Sequence, residues 1–446
     1  MRVAKFGTDG VRGIANDYLT PEVVTQLARA IAAHTMPQGG CVIIGRDSRT
    51  SGPMLEAALA AAFASAGIDV YLAGIIPTPA ISFLIKDERA HLGVVISASH
   101  NPPSDNGIKL FNHRGKKLST ADEARIEELS ADPLAPASRI GHIRELEAAA
   151  TRYAAFLTGT IDVDRVDFSG MKVVLDCAYG ATAEIAPRVF RHLGATVVPL
   201  HASCEGERIN EACGATHLEP LQAATLEHKA DLGIAFDGDG DRVLLVARDG
   251  SIIDGDRMMG IAAKYMFEQG TLQPAAVAST VLSNSGFEYW LSQQGIRLAR
   301  TDVGDRYVSH RMEEEGILIG GEPSGHIIFS EHSPTGDGIL TAVKLLEIAH
   351  LQDRDLSSMA REIPLFPQCA RNIHCESAQA LATHPAVQEA VRNAEIQLKP
   401  AGRIVVRPSG TQPLLRVMVE VEDETLCNQT ANAVEQAISK LASTLG

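Results

Sequence analysis

Three aspartates separated by single glycines, Asp237, Asp239 and Asp241 in residues 236–242 (FDGDGDR), form the segment with the most explicit chemistry. Carboxylates at i, i+2 and i+4 with glycine spacers can turn onto one hard cation, and an all-oxygen set selects Mg2+ or Ca2+. An EF-hand is excluded, because its sixth position would be Arg242 rather than glycine and its twelfth Arg248 rather than glutamate. An acidic surface turn is the competing reading. Against it, three carboxylates at the end of an apolar strand repel one another unless a cation is present. Three ligands also leave coordination positions open, as a catalytic metal requires.

Residues 93–109 (GVVISASHNPPSDNGIK) run an apolar strand into a turn of Ser, Asn, Pro and Gly, with Ser99 at the junction. Ligands of open α/β sheets bind beyond the carboxyl ends of strands, so the Ser99 hydroxyl is placed to act as a nucleophile or a phosphoryl carrier. Taken alone, it reads more readily as a turn serine bonding its own backbone. The G-x-S-x-G elbow of α/β-hydrolases is absent around it. His100 is its neighbour in sequence, which does not by itself aim the ring at Ser99. Lys109 can bring positive charge to the loop.

Residues 317–326 (ILIGGEPSGH) end a strand in Gly-Gly and then present Glu322, Ser324 and His326 on a loop of little bulk. That pattern suits sugar hydroxyls, and His326 can exchange protons near neutral pH; a structural histidine in an ordinary loop is the alternative. Residues 405–417 (VVRPSGTQPLLRV) offer Ser409, Gly410 and Thr411 as hydroxyl and backbone donors between Arg407 and Arg416. Arginine forks match phosphate, so the segment resembles an anion nest, although not a Walker A loop; a hairpin turn with exposed arginines is the alternative. Arg12, Arg46, Arg49 and Arg306 stand in further charged, Gly-bearing segments (5–13, 44–52, 303–308) and are candidate local cations. No G-x-G-x-x-G follows a strand, so nicotinamide chemistry has no support. Ser99, the aspartates and the Arg407 loop together point to phosphoryl transfer with a bound cation.

The elements that must position these loops repeat one pattern: an apolar β-rich run, a turn, then an Ala-rich amphipathic helix. Residues 41–47 and 275–280 read as strands and 171–180 as strand then turn, with helices over 51–67, from residue 184 to Gly194, and over 285–295. Such alternation implies βαβ units with mostly parallel sheets. Beyond a Pro-bearing linker near 366 the pattern changes to three strands and two helices (384–398 and 423–443), an α+β mix. Boundaries are expected near 150, 255 and 366.

With 446 residues, the chain has room for two to four domains at roughly 100–200 residues each. Aromatics make up 4%, net charge is −15, and no run of five basic residues exists, which together argue against a nucleic-acid surface. The acidity also means that an anionic substrate needs local cations. Seven scattered cysteines without a CxxC pair argue against structural zinc and a disulfide framework. No apolar leader or run of about 18 apolar residues is present, so the expectation is no membrane span and a cytoplasmic protein.

Taken in chain order, the motifs KFGTDGVRG, VIIGRDSRTSGPM, GVVISASHNPPSDNGIKLF, ERINEACGATH, FDGDGDR, VGDRYV, GGEPSGH, TGDG (335–338) and RPSGTQP resemble those of the α-D-phosphohexomutase family along the whole chain. The resemblance implies four domains in a heart-shaped arrangement around a central cleft: three α/β domains with mixed, mostly parallel sheets and a C-terminal α+β domain. The domains would be 1–150 with a phosphoserine loop, 151–255 with a metal loop, 256–366 with a sugar-recognition loop and 367–446 with a phosphate-binding loop. It implies that Ser99 is a phosphoserine and that Asp237, Asp239 and Asp241, with an oxygen of the Ser99 phosphoryl group, hold one Mg2+. Glu322 and Ser324 would recognise the sugar. Arg407, Ser409, Gly410, Thr411 and Arg416 would grip the phosphate that is not reacting. Arg12 and Lys109 would stabilise the phosphoserine and Arg242 would assist transfer. His326 is the first candidate general base and His100 the second.

FGTDGVRG and ISASHNP look like the glucosamine branch of that family. The branch implies interconversion of glucosamine 6-phosphate and glucosamine 1-phosphate, with glucosamine 1,6-bisphosphate as intermediate and activator, feeding UDP-N-acetylglucosamine synthesis. A phosphomannomutase or phosphoglucomutase on the same scaffold, a catalytically silent phosphosugar-binding protein and a calcium-binding scaffold are the alternatives. Oligomeric state stays open, a homodimer included. The chain departs from the family pattern at Gln412, where Glu is usual, at Pro323, where Gln is common, and at Tyr179, where Asn is common.

Overall fold

The computed structural model describes residues 4–7, 9–131, 137–375, 377–398, 402–408 and 414–445. The first sheet comprises Val11–Ile14 (β1), Cys41–Arg46 (β2), Asp69–Ile75 (β3), Leu92–Ile96 (β4), Asp105–Asn112 (β5) and Ile143–Glu145 (β6), in the order β1-β5-β4-β2-β3-β6. Every position of β4 is buried, as a strand covered on both faces requires. The helix Pro21–Thr35 starts on Thr20, whose side chain accepts from the Val23 N–H, with Pro21 in the first turn. It packs with the Ala-rich helix Gly52–Ser65. Leu27, Ile31, Leu59 and Phe63 join Val42, Ile44, Val94 and Ile96 in one core, each large apolar side chain contributing about 1.5–3 kcal/mol.

The second sheet holds Lys172–Asp176 (β7), Thr196–Leu200 (β8), Leu232–Phe236 (β9), Val243–Ala247 (β10) and Ile252–Ile253 (β11), ordered β11-β10-β9-β7-β8. Ala276–Thr280 (β12) and Arg297–Thr301 (β13) are followed by Ile319–Gly321 (β14), which pairs parallel with β12 and antiparallel with Ile327–Phe329 (β15). The sheets are mixed. Parallel pairs predominate in the first and equal the antiparallel pairs in the second.

The antiparallel strands matter most for function. β5 folds back on β4, β10 on β9 and β15 on β14. The loops carrying Ser99, the three aspartates and Glu322–His326 are therefore equivalent hairpin connections in three successive sheets. Sequence periodicity shows the strand that enters each loop. It does not assign the strands that leave, which follow the polar motifs without a break, although 243–247 (VLLVA) and 327–329 (IIF) are short apolar runs.

The chain forms two compact units: residues 1–281 with 299–360, and residues 282–298 with 361–446. The larger carries the first two sheets with β12, β14 and β15. The smaller carries Gln368–His374 (β16), Arg403–Pro408 (β17) and Leu414–Glu420 (β18), antiparallel in the order β16-β18-β17, under the helices Pro385–Gln397 and Glu424–Leu445. Its core joins Ile373, Leu415, Val417 and Val419 to Cys427, Ala431 and Val434.

Asp337 of the TGDG segment caps the helix Gly338–Leu351, accepting from the Leu340 N–H at 3.0 Å and from the Tyr153 hydroxyl at 2.7 Å. Burial raises its carboxyl from 3.8 to about 6, against the lowering effect of those hydrogen bonds. Between those two values the folded state binds more protons than the unfolded one, so this group makes stability fall as pH rises through the window. Asp337→Asn keeps the cap and stays neutral. The variant is expected to lose that slope and to gain at most roughly 3 kcal/mol relative to the wild type above the window. Denaturation midpoints of both proteins across pH 4–7 check this; parallel curves would refute it.

Candidate active site

Ser99 sits at φ +52°, a left-handed conformation that costs a non-glycine residue roughly 1–2 kcal/mol. The surroundings over-determine it. The Ser99 N–H donates to Ser97 Oγ at 2.9 Å, and Ser97 Oγ donates to Asp47 Oδ2 at 2.6 Å. Arg49, fully buried, donates to Asp47 Oδ2 at 3.0 Å and to the carbonyls of Ser99 at 3.0 Å, Asn101 at 2.8 Å, Asp105 at 2.9 Å and Pro102. From the second sheet's domain, Asn210 Nδ2 donates to the carbonyls of Ser99 (2.9 Å) and Asn101 (3.2 Å). The loop is thus clamped on its carbonyl side, and the Ser99 hydroxyl is turned outward to Asp237 Oδ2, to which Ser99 Oγ donates at 2.6 Å.

The three aspartates converge as their spacing predicts, with one carboxylate oxygen from each lying within 4.8 Å of the others. The glycines between them have separate reasons. A Cβ on Gly238 would stand 2.7 Å from the Ser99 carbonyl and 2.8 Å from Asn210 Nδ2, and Gly240 turns at φ +71°. Glycine at 238 is what lets the two loops touch. Asp239 accepts from Thr78 Oγ1 at 2.5 Å, and the buried Lys109 ammonium reaches Asp239 at 2.8 Å, Asp241 at 3.2 Å and Asp9 at 3.1 Å. Lys109 is therefore a partner of the aspartates, brought in by β5.

Burial, then the charges of Asp241 and Asp239, push Asp237 well above the usual carboxylate range. For Asp241, burial is outweighed by Lys109, His326 and Arg242, and its carboxyl lies well below that range. Asp239 Oδ1 and Asp241 Oδ1 are buried without a hydrogen-bond partner among the described residues. Two orphaned carboxylate oxygens beside the Ser99 hydroxyl, with no nitrogen or sulfur ligand in the set, fit a hard divalent cation.

A cleft of about 630 Å³ opens beside this cluster, lined by Arg12, His100, Asp241, Arg242, Glu322 and His326 among others. That volume suits a small ligand. Arg12 is paired with Asp9 and donates to Asn101 Oδ1 at 3.3 Å; the Arg242 N–H donates to Asp237 Oδ1 at 3.2 Å. In both guanidiniums Nε is buried without a hydrogen-bond partner among the described residues, leaving donors for an anion; Arg242 Nε lies 3.9 Å from Asp241 Oδ1. His100 Nδ1 lies 3.3 Å from Ser99 Oγ. Burial, then Arg242 and Arg12, push its ring down to about 4, so it is uncharged at neutral pH. His326 is held from two sides: its Nε2 accepts the Gly336 N–H at 3.1 Å and its Nδ1 lies 3.8 Å from Asp241 Oδ1. Burial lowers its pKa, but Asp241, Asp305 and Glu322 outweigh that and raise it. Glu322 is buried on the rim and Ser324 half-buried on the same hairpin.

Three of the four candidate cations drawn from the flanking segments serve elsewhere. Arg46 pairs with Glu56 at 3.2 Å, Arg306 pairs with Glu123, and Arg49 holds the Ser99 loop. Only Arg12 of this group lines the cleft. Sequence reasoning missed Asp9, Asp47, Ser97, Thr78 and Asn210. Asp9 and Asp47 stand inside quoted motifs, but nothing in their spacing shows that they neutralise Lys109 and Arg49. Tyr179, at φ +53°, takes a left-handed position that asparagine tolerates more readily, with Arg208 stacked 4.2 Å from its ring.

In the smaller unit, Arg407 on β17 and Arg416 on β18 are direct cross-strand partners. Like charges placed opposite one another are unfavourable unless an anion lies between them. Ser409, Gly410, Thr411 and the Gln412 departure lie outside the described residues.

Family models of phosphoglucomutase/phosphomannomutase match four stretches in order: α/β/α domain I over residues 3–134, domain II over 151–250, domain III over 254–366 and the C-terminal domain over 371–437. The chain is 44% identical over 445 residues to a phosphoglucosamine mutase of Desulforudis audaxviator, covering 98% of each. It is 46% identical over 423 residues to one of Pelotomaculum thermopropionicum, covering 93% of this chain and 94% of the relative. Among solved structures, a phosphoglucomutase/phosphomannomutase family protein of Burkholderia thailandensis shares the fold at a TM-score of 0.83 and 24% identity, covering 99% and 98% of the two chains. An N-acetylphosphoglucosamine mutase of Aspergillus fumigatus, solved with GlcNAc-6P and magnesium, matches at a TM-score of 0.70 and 16% identity, over 99% and 96%.

Proposed function

The chain belongs to the phosphoglucomutase/phosphomannomutase family and works as a phosphoglucosamine mutase, and we propose that it does so with Ser99 as a reusable phosphoryl carrier. Phosphorylated Ser99 gives its phosphoryl group to O1 of glucosamine 6-phosphate. The bond from phosphorus to Ser99 Oγ breaks as the bond to O1 forms, the O1 proton passes through the acid–base group to Ser99 Oγ, and glucosamine 1,6-bisphosphate results. After the bisphosphate turns over in the cleft, its 6-phosphoryl group returns to Ser99 and glucosamine 1-phosphate leaves. The observation that carries this reading is the Ser99 hydroxyl, held 2.6 Å from Asp237 by a loop clamped through its carbonyls, at the edge of a cleft with unpartnered arginine donors.

Each side chain has a part. Arg12 and Arg242 stabilise charge on the transferring group, while Lys109 pairs with Asp239 and keeps Asp241 ionised. His100, uncharged and in contact with Ser99 Oγ, exchanges the proton at that oxygen, which places it ahead of His326 as the acid–base group. His326, tied to Gly336, sets the sugar loop on which Glu322 and Ser324 meet the hydroxyls. Arg407 and Arg416, with Ser409, Gly410 and Thr411, hold the other phosphate. Asp237, Asp239 and Asp241, with an oxygen of the Ser99 phosphoryl group, would hold Mg2+, which would supply charge neutralisation at the transferring group; the orphaned carboxylate oxygens and the magnesium of the Aspergillus relative support this. All seven cysteines are unpaired, which suits a reducing cytoplasm.

Steady-state kinetics with glucosamine 6-phosphate, glucose 1-phosphate and mannose 1-phosphate, each with and without Mg2+, test the assignment. The glucosamine substrate is expected to give the highest kcat/KM, with activity lost on chelation. A preference for mannose or glucose phosphate would replace the amino-sugar reading with the phosphomannomutase or phosphoglucomutase one.

A further inference from the structure

A second convergence of ligating groups lies behind the Ser99 loop. Asp176 ends β7, His201 follows β8 and Cys213 precedes the single turn at Gly214–Thr216, and one potential ligand atom from each falls within 4.8 Å of the others. Asp176 is fully buried. Its Oδ1 accepts the Ala178 N–H and its Oδ2 the Gly214 N–H, both at 3.0 Å. These bonds orient the carboxylate and leave lone pairs on both oxygens. Among the described residues it has no lysine or arginine partner; its only charged-pair neighbour is His201, Nδ1 to Oδ1 at 3.0 Å.

That contact is close but is not aligned as a hydrogen bond, since His201 Nδ1 is buried without a hydrogen-bond partner among the described residues. The imidazole nitrogen and the carboxylate oxygen therefore stand close without engaging each other, and both are left available to a third group. The buried Cys213 thiol supplies the third atom within 4.8 Å of both, its pKa pushed up to about 12 by burial and then by Asp176. The Tyr179 ring, 4.9 Å from the imidazole and backed by Arg208, closes the outer face. Arg208 itself is engaged with that ring and with Glu205 at 3.1 Å, so it does not neutralise Asp176.

We propose that Asp176, His201 and Cys213 form a site for a borderline divalent cation of the zinc class, separate from the all-oxygen Asp237–Asp239–Asp241 site. One sulfur, one imidazole nitrogen and one carboxylate oxygen select zinc or its analogue cobalt over magnesium. Binding displaces the Cys213 proton to solvent and balances the buried Asp176 charge. The bound cation leaves a fourth position for water. It also joins the ends of β7 and β8 to the segment carrying Asn210, whose amide holds the Ser99 and Asn101 carbonyls. The site is a brace for the carrier loop.

The test uses the full chain with saturating Mg2+, so that the aspartate site does not take the probe. Cobalt(II) titration of the wild type is expected to produce a thiolate-to-cobalt charge-transfer band that saturates at one equivalent, and zinc is expected to raise the thermal midpoint. Cys204→Ser, which removes the exposed thiol nearby, keeps the band; Cys213→Ser loses it. His201→Asn, which tolerates the φ of +45° at that position, weakens cobalt binding by roughly tenfold or more and decides the question if Cys213→Ser fails to fold. No band in the wild type, a band unchanged in both Cys213→Ser and His201→Asn, or a band abolished by Cys204→Ser overturns the site.

Discussion

Ser99→Ala is expected to lower kcat/KM by roughly 10⁴-fold or more, the scale seen when a nucleophile is removed from an otherwise intact site. Intact-mass measurement after incubation with glucosamine 1,6-bisphosphate should show one added phosphoryl group on the wild type and none on the variant. The protein should remain folded. Alanine keeps the Cβ that already occupies the left-handed conformation, and the clamp on this loop acts through carbonyls and the Ser99 N–H, none of which the substitution touches. What is lost is the hydroxyl donated to Asp237. A neutral group then faces a carboxyl that burial has already raised, a cost on the order of 1 kcal/mol. Ser99→Gly serves as a control, since it relieves the φ of +52° and is expected to be more stable than Ser99→Ala by about 1 kcal/mol with no more activity. A Ser99→Ala protein that turns over at near wild-type rate, or one that still takes up the phosphoryl group, would sink the carrier role.

Arg49→Met should be the most damaging substitution outside the reacting groups. One guanidinium with no exposed surface bonds four carbonyls of a single loop and the Asp47 carboxylate. Methionine fills the space but leaves Asp47 as an uncompensated buried charge and the four carbonyls without their donor. Breaking one side of a buried pair costs about 3–5 kcal/mol, which lowers a thermal midpoint by roughly 10 °C in a domain of this size. Arg49→Lys separates charge from geometry. A lysine can retain the Asp47 pair, so much of the stability should return. A single ammonium cannot reach carbonyls that a planar fork spans, so kcat should stay depressed while KM changes less. A wild-type midpoint for Arg49→Met would show that the buried fork does not hold the loop.

The chemistry was legible because it is written in contiguous residues. DGDGDR brings its own three carboxylates together, and the glycines that make this possible are visible in the string. The Ser99 loop is also local, and the resemblance of the ordered motifs supplied the carrier reading. The partners of these loops are not local. Lys109 meets Asp239 across 130 positions, Asn210 meets Ser99 across 111, and Arg49 meets Ser99 across 50. Periodicity reports which face of an element is apolar; it does not report which distant loop that element will abut.

The sequence by itself therefore determined the ligand types, their order along the chain and the alternation of strands and helices that carries them. Only the tertiary structure decided where each cation goes. Arg12 and Arg242 line the cleft and Lys109 pairs with the three-aspartate cluster beside it, whereas Arg46, Arg49 and Arg306 close ion pairs or hold backbone away from it. The physical reason is the returning strand in each hairpin. β5, β10 and β15 fold antiparallel onto β4, β9 and β14 and so place three loops from three sheets at one point. A charge beside that point faces the aspartates or the cleft, and the same charge a few residues away must find a partner elsewhere in the fold, because burying it alone costs several kcal/mol.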